Sequence, residues 1–271
     1  MAKRAATAGR TNGDLTGPLL PIAQGQLEAM ERCGRLFQYR YLERWGQVVE
    51  GGQRDRMDWG NRFHLVAQQH LLGIDVGPVL ATDPELDRCW RSLVAVAPDL
   101  LGEDATLTRS SEHRLTRVRG AYRLTVIYDL LAIGGGRAAI VDWKTYPQPA
   151  RSEHLARSWQ TRLYRWMLAA TGWPPEAIAM TYWFVRGAEQ PTSVTLPYDG
   201  AAYDRDRADL DRLLGLIDQG RRAFLGGESL PQADRTAAGS PCDRCGFAGR
   251  CWGEAIVTPL PDVSEISEVE I

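Results

Sequence analysis

The stretch that decides the fold is AYRLTVIYDLLAIGGGRAAIVDWKTY, residues 121–146. Two runs rich in β-branched and aromatic residues flank three glycines, a pattern typical of two strands joined by a tight turn. A two-residue turn at the last two glycines pairs the residues on either side of it. Counting back along both strands then sets Asp129 opposite Asp142, with their Cβ atoms about 4.5–5.5 Å apart. The stretch therefore predicts a β-hairpin with two carboxylates side by side.

The charges of this hairpin suggest a metal site. Asp142 and Lys144 are two residues apart in a strand, so they point to the same face as each other. Two adjacent carboxylates are unfavourable unless a cation lies between them, and Mg²⁺ or Mn²⁺ is the natural partner of such a pair. Lys144 is then suited to orienting or deprotonating an attacking water, or to neutralising charge in a phosphoryl transition state.

The alternative interpretation is a solvent-facing hairpin with an ordinary salt bridge, since a D-x-K pattern in a strand is weak evidence. The flanking runs YDLLAI and AAIV are apolar and indicate burial. Buried charges are rare without a partner or a function, so the flanks favour a functional site.

Outside the hairpin, some segments have the hydrophobic period of a helix and others that of a strand. It predicts helices over 24–45, 57–72, 83–101, 154–170 and 204–224, and strands over 112–120, 121–133, 137–146 and 177–187. This order predicts an α/β fold with one central mixed sheet.

Composition limits the classes of protein that the chain can represent. It has 271 residues, 44% hydrophobic and 24% charged, which is typical of a globular protein. The net charge of −2 predicts that any contact with nucleic acid comes from a local patch. The chain has no apolar run long enough for a membrane helix and no secretory signal at its start, so we expect a cytoplasmic protein without membrane attachment.

A second concentration of chemistry lies in PCDRCGFAGRC, residues 241–251, which contains Cys242, Cys245 and Cys251. Clustered cysteines in a reducing compartment more often bind metal than form disulfides. The remaining thiol of the middle of the chain, Cys89, falls within a predicted helix and is interpreted as a small buried side chain.

Asp129, followed by VDWKT with Asp142 and Lys144, resembles the active site of the PD-(D/E)XK nuclease superfamily. The helix motif QTRLY, with Gln160 and Tyr164 one turn apart, is similar to the Q-x-x-x-Y motif of its RecB-like members.

GNRFH, with Gly60 and His64, is similar to the G-x-x-x-H motif of the same group. Taken singly, His64 is better explained as a core histidine, and the glutamine and tyrosine as residues that flank an apolar stripe. The four motifs occur in the order of the family, and that order favours the functional interpretation. One departure is Val126, at a position where relatives often have glycine.

The resemblance implies a restriction-endonuclease-like fold, a mixed β-sheet flanked by helices, and it implies roles for these residues. His64, Asp129 and Asp142 would bind Mg²⁺ or Mn²⁺, and Lys144 would assist the water. Gln160 and Tyr164 would lie beside the site, where they contact DNA or hold the lysine. Glu112 falls near a position that is acidic in some relatives.

The cysteines resemble those of the cluster-bearing nucleases of the AddB type and the CRISPR-associated adaptation type. This resemblance implies a [4Fe–4S] cluster on Cys33, Cys242, Cys245 and Cys251 that joins the N- and C-terminal segments. Zinc remains the alternative metal, because C-x₂-C serves both chemistries. Relatives commonly have proline after the first cysteine, where this chain has Gly34.

The sequence thus predicts a flexible tail over 1–23, a RecB-like nuclease domain over 24–252 and an acidic tail over 253–271. The expected activity is that of a metal-dependent deoxyribonuclease. By resemblance it is an exonuclease of DNA repair, recombination or defence, acting on single-stranded DNA or DNA ends, with a helicase or repair protein as a partner. Two alternatives stay open: a catalytically silent iron–sulfur scaffold that binds DNA or a helicase, and a zinc-bound structural protein without nucleic acid.

Overall fold

A computed structural model describes residues 19–46, 51–102, 106–147, 153–187 and 189–253. Most of the two predicted tails therefore lies outside the described residues. The chain divides into two compact units. The first unit comprises the described residues of 1–28 and 50–214, and the second those of 29–49 and 215–271.

The first unit is built on a sheet whose strands are β1 (Leu20–Ile22), β2 (Thr108–Arg119), β3 (Tyr122–Gly134), β4 (Arg137–Lys144), β5 (Ile178–Phe184) and β6 (Thr192–Pro197). The α-helices of the described chain are α1 (Gln24–Arg32), α2 (Gly34–Phe37), α3 (Gly51–Leu71), α4 (Gly77–Leu80), α5 (Pro84–Val96), α6 (Pro98–Leu101), α7 (Glu153–Arg157), α8 (Trp159–Ala169), α9 (Gly200–Leu225) and α10 (Ala248–Trp252). None of them is long and apolar enough to cross a membrane. The boundary between the units falls within α1 and α9, and α2 and α10 belong to the second unit.

The six strands form one mixed sheet in the order β1-β3-β4-β5-β6, with β2 paired to β3. β1 runs parallel to β3 and β4 parallel to β5, whereas the other neighbours are antiparallel. The parallel β4–β5 step is made through α7 and α8, as such a connection requires a crossover. The predicted mixed sheet is confirmed.

The predicted hairpin has the expected turn and register. Gly135 and Gly136 both have positive φ, 56° and 72°, a backbone conformation that glycine adopts without steric cost. Gly134 pairs with Arg137, and the ladder continues in the same register toward the two aspartates.

Helices cover both faces of the sheet. Phe63 and Val66 of α3 and Leu86 of α5 pack with Leu130 and Val141 in one hydrophobic cluster on the first face. On the other face, α8 contacts the side chains of Asp142 and Lys144, which alternate with the residues of the first face. The catalytic candidates therefore lie on strands whose positions are fixed by cores on both sides.

The N-terminal helix prediction over 24–45 is wrong as a single element. α1 ends before Cys33, whose backbone is extended with φ −171° and ψ 125°, and α2 begins at Gly34. A π-helical turn over Gln38–Leu42 then completes the segment. The break exists because Arg35 N–H donates to a carbonyl of the C-terminal segment, and a continued helix would move that N–H away.

Two further predicted helices are divided. The helix over 154–170 breaks at Ser158, whose hydroxyl accepts a hydrogen bond from Thr161 N–H and caps α8. The helix over 83–101 breaks before Pro98, because proline has no N–H to continue the ladder.

Two strands were not predicted. β1 lies inside the segment predicted as a flexible tail over 1–23, and its central proline concealed it. β6 pairs only with β5, and its mixture of polar and apolar residues gave no clear period-2 pattern. The described chain thus adds β6 beside β5 and β1 beside the first residues of β3, on the edge of β3 that β2 does not occupy.

Candidate active site and candidate metal centres

The first candidate site forms where β3 and β4 part. Their ladder ends at the pair Leu130↔Val141, one position before the two aspartates. Asp129 Oδ2 instead accepts a hydrogen bond of 2.7 Å from the backbone N–H of Trp143. The Asp129 carboxylate thus accepts the hydrogen bond that a backbone carbonyl of β3 would accept in a regular ladder. This hydrogen bond anchors the carboxylate in the gap between the strands.

Asp142 is fixed by two neighbours in a buried position, with 4% of its surface exposed. Lys144 Nζ lies 2.6 Å from Asp142 Oδ2, and the amide of Gln160 donates a hydrogen bond of 2.5 Å to Oδ1. Lys144 in turn donates a hydrogen bond of 2.8 Å to Gln160 Oε1. The three side chains form a closed ring of polar contacts.

Burial controls the protonation of this ring. Loss of solvent, followed by repulsion from Asp129, raises the pKa of Asp142 to about 6, although Lys144 opposes the rise. Burial works against the charge of Lys144, yet attraction to Asp142 outweighs it and raises the pKa of that ammonium. The two groups therefore stabilise each other as an ion pair in a site with little water.

His64 on α3 completes the site from above the strands. Its Nδ1 lies 3.3 Å from Asp129 Oδ2. Burial lowers the pKa of the imidazole, but the hydrogen bond and charge of Asp129 outweigh it and raise that pKa above its ordinary value. Gly60, one turn earlier, lets the helix pass close to the sheet, since a Cβ there would lie 2.9 Å from Thr145 Oγ1.

Glu112 lies with these two residues. The ligand atoms of His64, Glu112 and Asp129 are all within 4.8 Å of one another. Glu112 has a positive φ of 48°, which is strained for a residue with a side chain. Burial, followed by repulsion from Asp129, raises the pKa of Glu112. Such a crowded set of one imidazole and two carboxylates is favourable only with a cation or a proton between the groups.

The set gathered by the structure differs from the predicted ligand set of His64, Asp129 and Asp142. Glu112 is in the three-residue cluster and Asp142 is outside it, because the carboxylate of Asp142 is engaged by the lysine and the glutamine. Even so, Asp142 Oδ2 is buried, and the Lys144 ammonium at 2.6 Å is its one polar partner among the described residues. A divalent cation fits this arrangement, since it would bind oxygen atoms that lack a full set of hydrogen bonds.

Two tyrosines support the ring from the same side. The buried Tyr164 hydrogen-bonds Gln160 and the backbone of Ile127 through its hydroxyl. Tyr182 was not singled out in the sequence. It stands beside Asp142 in the β4–β5 register, and its ring lies 5.1 Å from Lys144 Nζ. Its alternating buried strand was the only sequence signal for this position.

The second unit contains the predicted cysteine set. Cys33, Cys242, Cys245 and Cys251 all line one cavity, and all are free thiols. The amide of Gln232 donates a hydrogen bond of 3.1 Å to Cys251 Sγ. Burial raises the pKa of Cys251, against the effect of that hydrogen bond. The structure thus brings all four predicted thiols to one place.

Four thiols on one cavity are the donor set that either an iron–sulfur cluster or a structural zinc ion requires. Within the described residues, no three of the four sulfurs lie within 4.8 Å of one another. Cys89 belongs to the first unit, where it is buried on α5.

Gly34 has a local explanation in this unit. A Cβ at that position would lie 3.2 Å from the carbonyl oxygen of Pro231, the same oxygen that accepts the Arg35 N–H at 2.9 Å. The segment that carries Cys33 is therefore held against the C-terminal segment at close range, which a larger side chain would disturb.

Comparisons with known proteins concern the fold and the family of the chain. A crystal structure of a protein of Eubacterium rectale, provisionally named an exonuclease, superimposes with a TM-score of 0.50 at 11% identity, and the match covers 91% of this chain and 94% of that one. At this identity the likeness concerns the fold. A second structure, of SSO0001, matches with a TM-score of 0.38 at 12% identity, covering 92% of this chain and 89% of that one. No curated protein matches significantly.

The sequence itself matches the family description "PD-(D/E)XK nuclease superfamily" over residues 21–252, which includes every candidate residue of both sites. The match covers more than half of the chain. The chain belongs to the PD-(D/E)XK nuclease superfamily.

Proposed function

We propose that this chain is a divalent-metal-dependent deoxyribonuclease that hydrolyses phosphodiester bonds. The observation that carries the proposal is the ring of Asp142, Lys144 and Gln160 beside the crowded set of Asp129 and His64, at the point where β3 and β4 part. A structural ion pair would need neither the strained backbone at the site nor two aspartates in the same gap.

Four residues of the candidate site would bind the divalent metal ion. His64, Glu112 and Asp129 would hold Mg²⁺ or Mn²⁺, and Asp142 would add Oδ2, the oxygen beside the Lys144 ammonium. The bound ion would supply positive charge at a phosphate oxygen and lower the pKa of water.

Lys144 would act as a positioned cation. Its ammonium has three N–H groups, and two directions are used by Asp142 and Gln160. The third remains for the attacking water or a phosphate oxygen, where it would stabilise the charge that develops on hydrolysis. Gln160 would keep both charged groups oriented, and Tyr164 would hold the glutamine.

The second unit would hold a [4Fe–4S] cluster on Cys33, Cys242, Cys245 and Cys251. Support comes from the cavity that all four thiols line. The group would join segments separated by most of the chain, as structural metal centres do. Iron, sulfide and zinc analysis of anaerobically purified protein tests this: four irons per chain are expected, and one zinc without iron would contradict it.

The finer identity of the substrate rests on the resemblance. We infer exonuclease action on single-stranded DNA or DNA ends, in repair, recombination or defence in the cytoplasm, with a helicase or repair protein as a partner. The name of the Eubacterium rectale protein with the same fold is in keeping with exonuclease action.

The test is cleavage of end-labelled single- and double-stranded DNA with Mg²⁺ or Mn²⁺. Wild-type protein is expected to give a product ladder, and Asp142→Asn is expected to give none while binding DNA as before. Asp55→Asn removes an exposed carboxylate of α3 and serves as the matched control. Equal cleavage by Asp142→Asn would refute the site, and a wild type that retains its cluster but never cleaves would indicate a binding scaffold instead.

A further inference from the structure

One face of the β2–β3 ribbon is left open by the described residues, next to the candidate site. Along β3 the even residues from Tyr122 to Tyr128 are buried, and the odd ones are exposed or half-buried. Opposite the odd residues, in register, stand exposed residues of β2. We call this side the open face, and its six residues are Arg114, Thr116, Val118, Arg123, Thr125 and Ile127.

The register holds these side chains on one surface. Arg114 faces Ile127, Thr116 faces Thr125, and Val118 faces Arg123. The hydroxyls of the two threonines lie 3.4 Å apart in the middle of the open face. The face is thus a continuous strip two strands wide, with a cation toward each end and hydroxyls between them.

The two arginines of the open face form no direct ion pair within the described chain. Neither Arg114 nor Arg123 forms an ion pair or hydrogen bond with a described residue, and the open face contains no carboxylate. The arginines of the opposite face are bound instead. Arg119 forms a bidentate pair with Asp211, and Arg117 donates to the carbonyl of Ala170. The ribbon therefore directs its free positive charge to one side only.

The open face leads to the candidate metal cluster. Arg114 follows Glu112 by two residues, which is about 7 Å along a strand. The charge of Arg114 is felt at the Glu112 carboxyl, where it acts to lower the pKa. Arg123 lies opposite Val118, about 13 Å further along the ribbon. A chain of anions that enters the cluster can therefore continue over both arginines.

Apolar side chains on the same strip distinguish between forms of nucleic acid. Val118 is 56% exposed and Ile127 is half-buried, so both present apolar surface to solvent on that side. The faces of unpaired bases can lie on such side chains, whereas a duplex hides its base faces by stacking. Alternating cations and apolar side chains fit an unpaired strand better than a duplex.

From this arrangement we infer that the open face is the track of a single nucleic-acid strand. Arg114 and Arg123 bind its phosphates, and Val118 and Ile127 contact its bases, so that the strand is led to the cluster of His64, Glu112 and Asp129. This inference rests on the proposed nuclease function and specifies the substrate form and the path by which it reaches that site.

The experiment measures binding of a fluorescent single-stranded 15-mer in EDTA, where no cleavage occurs, over a range of salt concentrations. The variant is Arg114→Gln with Arg123→Gln. Each lost phosphate contact on a single strand reduces the slope of log K against log salt by about 0.7, so the double variant should lose about 1.4. We expect about tenfold weaker binding at 0.1 M salt.

The matched control is Arg137→Gln, which removes an exposed arginine at the turn of the hairpin, away from the site. An equal loss of affinity in the control would show a general charge effect and overturn the inference. Unchanged affinity in the double variant would also overturn it. An equal loss on a blunt duplex would overturn the assignment to a single strand.

A variant that is expected to bind more tightly tests the inference independently of any loss of folding in the double variant. Val118→Lys adds a cation at an exposed position of the open face and should tighten binding, with a slope steeper by about 0.7. An unchanged slope would contradict the track. If wild type cleaves DNA and the Arg114 and Arg123 double variant keeps its KM, this inference alone fails. If wild type neither binds nor cleaves, the proposed function fails with it.

Discussion

Gly60 offers a sharp test of how the helix and the sheet form the site together. It is buried within α3, one turn before His64, and it faces Thr145, the residue after Lys144. A Cβ added at Gly60 would lie 2.9 Å from Thr145 Oγ1, whereas ordinary contact begins at 3.4 Å. Gly60→Ala therefore forces the helix and the end of β4 apart by about half an ångström.

The expected effects on stability and on activity have different sizes. Alanine in a helix interior is favoured over glycine by about 1 kcal/mol, which offsets much of the strain, so we expect the melting temperature to change by only a few degrees. Misplacement of catalytic groups by 1 Å lowers the rate about a hundredfold. A displacement of about half an ångström therefore predicts about a tenfold loss of kcat/KM. Thermal melting and single-turnover cleavage of end-labelled DNA measure the two quantities.

A second substitution tests whether geometry is the cause. Thr145→Ala removes Oγ1 and leaves the nearest atom of that side chain 3.8 Å from the added methyl, which is ordinary contact. The Gly60→Ala, Thr145→Ala double variant should therefore recover the activity of Thr145→Ala alone. Full activity in Gly60→Ala, or no recovery in the double variant, would refute the reasoning.

Further predictions concern the cysteines and the second face of the sheet. Cys245→Ser should lose the visible absorption of the cluster and much of the stability, and an unchanged spectrum would remove that thiol from the ligand set. Arg162→Met should destabilise the first unit by about 3 kcal/mol, since it leaves the buried Asp206 without its cation; an unfolding curve equal to that of wild type would contradict this. Burial, followed by repulsion from Glu85, raises the pKa of the Cys89 thiol, so less thiolate is present at pH 8 than in the unfolded chain. Alkylation of Cys89, timed by mass spectrometry, should therefore be slower in the folded protein than in the unfolded chain. Equal rates would contradict the burial.

The hairpin was predictable because its information is local. Two glycines with positive φ fix the turn, and the turn fixes the register of every pair up to the split before Asp129. The helical motif of Gln160 was predictable for the same reason, since residues one turn apart share a face. Its double contact with Asp142 and Lys144 depends on the crossover that brings α8 under the sheet.

The remaining features depend on contacts that are distant in the sequence. The helix break at Cys33 arises from a hydrogen bond to the carbonyl of Pro231, which no local pattern contains. Glu112 joins His64 at a residue of β2 with a positive φ, and such a conformation is not visible in composition. β1 was concealed by a proline that an edge strand tolerates.

Single-turnover cleavage of end-labelled DNA by Lys144→Met, with Mn²⁺ and protein in excess, tests the central claim most directly. Binding of the same strand in EDTA controls for affinity. We predict that binding is retained and that the cleavage rate falls by about 10²–10³, because the variant loses the positioned donor of the site. A variant that cleaves at the wild-type rate would contradict the assignment of Asp142, Lys144 and Gln160 as the catalytic ring.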